Sequence, residues 1–208
     1  MFKLINVVYK NILHIERLEI PKNKVTCIVG ESGSGKSTLL CLLNKLISCD
    51  RGEIYYNDLL IDDIDSVELR RKVVMLPQQP VVFPGSIKKN LLIGLKFSGK
   101  PEEKDDKLIK VLEMVSLKKK LDDDAEKLSG GEKQRMALGR VILMKPEVFL
   151  LDEPSSALDD KTEEVVIERV VKHIKAENKT LVMVTHSKKI ALDYSDNIVE
   201  IKGGRVIK

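Results

Sequence analysis

The sequence predicts an α/β fold, in which a parallel sheet carries helices on both faces, a small antiparallel sheet precedes it and a helical lobe interrupts it. Three observations lead there. Short apolar runs without polar alternation, VTCIVG (25–30), VFLLD (148–152) and TLVMVT (180–185), read as parallel strands covered on both sides. Helical periodicity separates these runs, and strand-helix alternation of this kind builds a layered α/β core. Between residues 86 and 145 the alternation stops and the pattern is mostly helical.

Taken in order, the alternating stretches near 2–8, 12–19 and 53–56 predict the antiparallel sheet. VTCIVG then runs into a glycine-rich turn, after which STLLCLLNKLI reads as helix. The helical lobe contains a link rich in Lys and Asp at 118–124. Following VFLLD, the stretch after Asp160 places Val166, Val170 and Ile174 on one apolar stripe with charges opposite. TLVMVT follows it. The expected organisation is a single domain over 1–208, with a core lobe of about 1–85 and 146–208 and a helical lobe of about 86–145. No internal repeat or low-complexity tract is visible.

Composition narrows the function classes. Lys plus Arg total 36 against 32 for Asp plus Glu, and the signs interleave along most of the chain, a balance that does not by itself argue for nucleic acid. Aromatics are 4% with no Trp, too few for a base-stacking platform. Cys27, Cys41 and Cys49 lack CxxC spacing and lie in or near apolar segments, so reduced thiols in a cytosolic protein are expected rather than a zinc site. No apolar run reaches the roughly 18 residues of a membrane span, and the first residues are broken by Lys, His, Glu and Arg, unlike a secretory signal.

The chemistry starts in GESGSGKST. Gly30, Gly35, Lys36 and Ser37 fit G-x-x-x-x-G-K-[ST] between an apolar strand and a helix, the setting that gives this pattern its meaning. The glycines let successive backbone N–H groups converge on phosphate oxygens. The expected nucleotide contacts are Gly30, Ser32, Gly33, Ser34, Gly35, Lys36, Ser37 and Thr38, with Lys36 bridging the β and γ phosphates and the Ser37 hydroxyl on Mg²⁺. VFLLDEP delivers Asp152 and Glu153 to the carboxyl edge of the sheet, where ligands of such sheets bind. Neighbouring strand residues point to opposite sides, so Asp152 can hold the metal shell while Glu153 orients or deprotonates water. His186 closes TLVMVTH at the same edge, in reach of the γ-phosphate or its attacking water. His14 and His173 have no such setting and read as surface or packing residues.

A second anion-binding opening lies at LSGGEKQR, 128–135, where a serine and two glycines precede a helix. With the phosphate loop, this stretch resembles the ATP-binding-cassette (ABC) ATPases, and the resemblance covers essentially the whole chain. It implies a P-loop NTPase core of ABC type with an N-terminal antiparallel β-subdomain and an inserted helical subdomain. It also implies an ATPase using ATP and Mg²⁺ that powers a membrane transporter by ATP-driven dimerisation. Under the resemblance, Tyr9 is the aromatic that stacks on adenine, and Gln78, in preference to Gln79, is the glutamine that senses Mg²⁺ and water. SSALD, ending at Asp159, is similar to the D-loop, and His186 to the switch histidine. Ser129, Gly130 and Gly131 then serve the nucleotide held by the other copy of a head-to-tail pair. Glu132 departs from the pattern, standing where many members have Gln.

The implied partners are separate transmembrane permease subunits and a second ATP-binding subunit, identical or not, with no nucleic acid. The implied location is the cytoplasm, peripheral on the inner face of the membrane, with docking near Gln78 and VVFPGSIKKNL. LPQQPVVFPGSIKKNL is loosely similar to subunits handling inorganic ions such as phosphate or metals, which leaves the cargo open. A non-transport ABC ATPase of DNA repair, chromosome handling or translation is the alternative. Against it, Gln78 and Ser129 are too close in sequence to hold a long coiled coil, and there is one phosphate loop with one signature. A kinase using the same loop leaves LSGGEKQR and SSALD without a purpose.

Overall fold

The structure is a computed structural model describing residues 1–207. Two sheets form its framework. In the first, β1 (Phe2–Tyr9), β2 (Leu13–Ile20), β4 (Arg51–Tyr56) and β5 (Leu59–Leu60) pair antiparallel in the order β2-β1-β4-β5. The second is built from β3 (Val25–Val29), β6 (Val73–Leu76), β7 (Val148–Asp152), β8 (Thr180–Val184), β9 (Asn197–Lys202) and β10 (Arg205–Val206). Its order is β10-β9-β3-β8-β7-β6, parallel except for the β10 edge.

Strand alternation divides the interior into two cores. Cys27, Leu76, Phe149, Leu151, Leu181 and Met183 face one side, against the helical segment between β6 and β7 and against α6 (Asp160–Ala176). Ile28, Val73, Val148, Leu150, Val182 and Val184 face the other, against α1 (Lys36–Leu43) and the inner side of the antiparallel sheet. Continuous apolar strands are therefore required, as the sequence runs predict. The stripe Val166, Val170 and Ile174 is fully buried in the first core.

The remaining helices are α2 (Ser66–Lys72), α3 (Ile87–Phe97), α4 (Asp105–Met114), α5 (Gly130–Met144) and α7 (Lys188–Tyr194). The helix expected to run to Ile47 stops at Leu43, because Asn44 leaves helical geometry and Lys45 turns left-handed at φ 56°. The link at 118–124 leads into a short 3₁₀ turn, Ala125–Lys127, that presents the start of α5.

One half-buried cation fixes the segment after β6 to these helices. Arg140, on α5, donates from Nε to Asn90 O at 2.7 Å, from Nη2 to Asn90 Oδ1 at 2.9 Å and from Nη1 to Val81 O at 2.9 Å. Its guanidinium lies 5.2 Å from the Phe83 ring centroid, and desolvation lowers its pKa to about 10. Asn90 in turn accepts from Phe83 N and donates to Phe83 O. Residues 81–90 are thereby held to α5 although they form no sheet.

Candidate active site at the carboxyl edge of the parallel sheet

Register brings the site together. Leu76 pairs with Leu151, and Asp152 and Ile28 both pair with Val184, so the chain leaves β3, β6, β7 and β8 at one level. Gln78, Glu153 and His186 follow those ends within two residues, and the β3-to-α1 loop curls over the same edge. A cavity of about 420 Å³ opens there, lined by Ile12, Ser32, Gly33, Gly35, Lys36, Ser37, Thr38, Gln78, Glu153 and His186.

The loop needs its glycines. Gly30 lies at φ 149° with its backbone against β9, so that a Cβ would stand 2.1 Å from Ile201 O. Gly35, at φ 101°, caps α1 in left-handed geometry that an L side chain rarely adopts. Within the loop Lys36 is buried, its Nζ donating to Gly30 O at 2.9 Å and Glu31 O at 2.7 Å. Two neutral carbonyls satisfy the ammonium only in part, and a phosphate oxygen is the stronger acceptor for it.

Asp152 and Ser37 supply the test for a divalent cation. Asp152 is buried, and its Oδ1 has no hydrogen-bond partner among the described residues, an arrangement that costs free energy unless a ligand completes it. Burial raises its pKa above the usual carboxylate value, with the Ser37 hydroxyl pulling the other way. One carboxylate and one hydroxyl are hard oxygen donors, too few for an all-protein cage but suited to Mg²⁺, which keeps waters and phosphate oxygens in its shell. Ser34 Oγ is likewise buried and unpaired among the described residues, on the loop itself.

Glu153 is the centre of the polar cluster. Its Oε2 accepts from Gln78 Nε2 at 2.8 Å, and its Oε1 lies 2.7 Å from His186 Nε2. Its backbone is left-handed, φ 48°, which costs a non-glycine residue roughly 1–2 kcal/mol. Such geometry persists where surrounding contacts over-determine it, and it concentrates at functional positions.

A family model described as "ABC transporter" matches residues 13–156, a stretch that contains the loop, Gln78, the serine-glycine turn and both carboxylates. The chain belongs to the ABC transporter family. It is 39% identical over 205 residues to "Phosphate import ATP-binding protein PstB" of Synechococcus elongatus, covering 92% of this chain and 77% of that protein. It is 35% identical to "Lactococcin transport/processing ATP-binding protein LcnC-like" of Lactococcus lactis, covering 96% of this chain and 28% of that longer protein. Among solved structures it resembles the dimeric ATP-binding cassette MJ0796 in a post-hydrolysis state bound to ADP and Pi, with TM-score 0.88 and 29% identity over 100% of this chain and 97% of that one. The protein is therefore an ABC ATPase that binds ATP, with the P-loop NTPase fold of that family.

In this ABC ATPase the serine-glycine turn lies apart from the loop cavity, and Ser129, Gly130, Gly131 and Asp159 are not among the residues that line it. Ser129 is the exposed N-cap of α5, its Oγ accepting from Glu132 N at 3.4 Å while Glu132 Oε2 accepts from Ser129 N at 2.9 Å. Glu132 thus closes a capping box, which Gln would also make, and adds an ion pair with Lys119 that Gln could not. The Ser129 amide, helped by Lys119 at 3.2 Å, holds its carboxyl below the usual range. Because the Ser129 hydroxyl accepts in that box, its proton remains free to donate to an anion. Asp159 caps α6 through Thr162 N and the Thr162 hydroxyl.

Tyr9 is half-buried at the end of β1, with Lys10 Nζ 5.1 Å from its ring centroid, and it does not line the cavity. Ile12, in the following turn, does. Gln79 is exposed, and Gln78 is the one that reaches Glu153. His14 is exposed on β2 and His173 half-buried on α6, both away from the cavity lining.

Sequence reading missed two participants. Ile12 has no chemical signature. Gln134 has one: it stands on the buried stripe of α5 with Ala137, Leu138 and Val141, a polar residue at an apolar position.

Proposed function

We propose that this chain is the ATP-hydrolysing subunit of a membrane transporter, working as a head-to-tail pair with a second ATP-binding subunit, identical or closely related. The observation that carries the pairing is the separation of the two anion sites. The loop cavity is lined by Lys36, Gln78, Glu153 and His186, while Ser129, Gly130 and Gly131, at the N-terminus of α5, are not part of that lining, and Ser129 and Gly130 are exposed. Each copy has one half of a γ-phosphate site to lend and one to fill.

In this reading the triphosphate lies on the backbone of residues 30–35 and the side chains of Ser32, Ser34 and Thr38, with Tyr9 beside the adenine. Lys36 exchanges its loop carbonyls for β and γ oxygens. Ser37, Asp152 and Gln78 would hold Mg²⁺, whose chemistry when bound is to neutralise charge on the β and γ phosphates. Glu153 accepts the proton of the attacking water, and the oxygen of that water forms the new bond to phosphorus as the bond to ADP breaks. His186 orients Glu153 and the γ-phosphate. Ser129 and the N–H groups of Gly130 and Gly131 cap the phosphate held by the opposite copy, with Asp159 across the same junction.

ATP thus acts as interfacial glue, and loss of the terminal phosphate removes the anion that both copies hold. Among the described residues no helix is long and apolar enough to cross a membrane. The chain would act at the cytoplasmic face, docked on separate permease subunits through the helical lobe of about 86–145 near Gln78. Val81 and Phe97, both large, apolar and exposed, support that docking face.

Analytical ultracentrifugation of Glu153→Gln tests the pairing. With MgATP the variant should sediment as a dimer, and without nucleotide as a monomer. A strict monomer in saturating MgATP overturns the reading.

A further inference from the structure

Glu153 is the residue whose carboxylate gathers Gln78 and His186, yet its own backbone is strained, so something must hold it. Its N–H donates to Val184 O at 3.1 Å, which anchors it to β8. Its carbonyl accepts from Ser156 N at 3.2 Å, within the following turn, and from Gln134 Nε2 at 2.6 Å. Only the last of these arrives from another layer of the molecule, the helix α5.

Gln134 is a poor choice for packing alone. It is 2% exposed on the apolar stripe of α5, and its Oε1 has no hydrogen-bond partner among the described residues. An aliphatic side chain would fill the space without burying an unpaired amide oxygen. The amide orientation follows from the carbonyl it faces, since only the NH₂ side can bond to Glu153 O. The same Nε2 lies 3.4 Å from Ser156 Oγ. One turn earlier on α5, a Cβ on Gly131 would stand 2.8 Å from Ala157 O, so the start of the helix rests directly on residues 153–157.

We propose that Gln134 is a positioning residue for Glu153: its amide fixes the left-handed backbone from which the Glu153 carboxylate reaches Gln78 and His186, and it does so from the helix that Ser129 caps. The inference rests on Glu153 acting on water. Given that, a shift of α5 when Ser129 grips the nucleotide of the other copy displaces the amide that holds the base of this copy. The two hydrolytic sites are then joined through one side chain, by a hydrogen bond with a direction and a short path.

The test uses the full chain with Gln134→Leu, which removes the donor and keeps an apolar side chain of similar size, and Gln134→Glu, which keeps the shape. Gln134→Leu should lower kcat about 10²-fold, the scale of a misplaced reacting group, with ATP affinity and far-UV circular dichroism unchanged. Placed in a Glu153→Gln background it should lower the residual rate no further and leave the MgATP dimer intact, because its target has gone. For Gln134→Glu, the ratio of its kcat to that of the parent at the same pH should rise as pH falls, since only a protonated carboxyl can donate to Glu153 O.

A folded Gln134→Leu with parental kcat overturns the inference, as does an equal further loss in the Glu153→Gln background. If Gln134→Leu does not fold, the pH-dependent ratio of Gln134→Glu decides, and a flat ratio overturns it. Unimpaired turnover in Glu153→Gln alone would instead refute the role given to Glu153, a separate failure.

Discussion

Glu153 Oε1 lies 2.7 Å from His186 Nε2, and this contact joins the chain just after β7 and β8 at the cavity that the phosphate loop also lines. With Gln78 on Oε2, both oxygens of one carboxylate are held by side chains from the neighbouring strand ends. A base held from two sides has little freedom to point away from its water, which is the orientational contribution to catalysis. His186→Ala frees one oxygen while leaving the loop untouched. Its kcat should fall about 10²-fold with a nearly unchanged ATP affinity, measured by phosphate release and by equilibrium nucleotide binding. Parallel loss of both would mean that His186 acts mainly on the nucleotide and that its contact with Glu153 contributes little to turnover.

Ser129→Arg separates the two anion sites by experiment. Ser129 is exposed and does not line the loop cavity, so a large cation there leaves the loop of the same copy intact. Under the proposed pairing it obstructs the opposite copy. Turnover should drop at least about 10²-fold, comparable to removing a donor aimed at developing charge, while isolated monomers still bind ATP. Normal hydrolysis at every protein concentration would show that the site is not shared.

The framework was legible in the sequence because both cores need apolar residues from alternate positions of the same strands. VTCIV, VFLLD and TLVMV carry no polar alternation for that reason. The loop, the paired carboxylates and His186 were legible because their chemistry dictates residue type at fixed spacing. Less visible were β9, whose exposed and buried residues mix, and the short α2 and α7, each seven residues long. The early end of α1 at Leu43 was hidden as well, since LLNKLI keeps a helical apolar pattern through a left-handed Lys45. Contacts that join distant segments, such as Gln134 to Glu153 and Arg140 to Val81, leave only a polar residue on a buried stripe as their trace.

Asp152 gives a pH-dependent expectation. Its folded pKa is raised by burial, so the folded protein binds this proton more readily than the unfolded chain does. In the absence of metal and nucleotide its contribution therefore turns unfavourable as pH rises through the window from the ordinary carboxylate value to the raised one. Asp152→Asn should raise the Tm of the nucleotide-free protein at neutral pH by roughly a few degrees, with the gain vanishing in acid below that window. The same variant should lose the additional Mg²⁺-dependent part of the stabilisation by ATP. Thermal scans at several pH values, with and without MgATP, check both parts. An Asp152→Asn protein that melts lower at neutral pH would show that the carboxylate is satisfied within the fold.

Arg140 offers the sharpest stability test of the helical segment. It is a half-buried cation whose acceptors here, Asn90 O, Asn90 Oδ1 and Val81 O, are all neutral, and it stacks on Phe83. At neutral pH it stays charged, since even the lowered value is about 10. Arg140→Met retains much of the packing but removes all three guanidinium hydrogen bonds, leaving Asn90 Oδ1 with Phe83 N alone, so the loss should be about 2–4 kcal/mol by urea unfolding. Arg140→Lys should recover only part of it, because one ammonium cannot reproduce a planar fork reaching α3 and the 81–83 segment together. Since Val81 and Phe83 lie just after Gln78, ATP turnover in Arg140→Met should fall even at temperatures where the protein remains folded. Unchanged turnover alongside the predicted loss of stability would confine Arg140 to holding the helices, with no influence on Gln78.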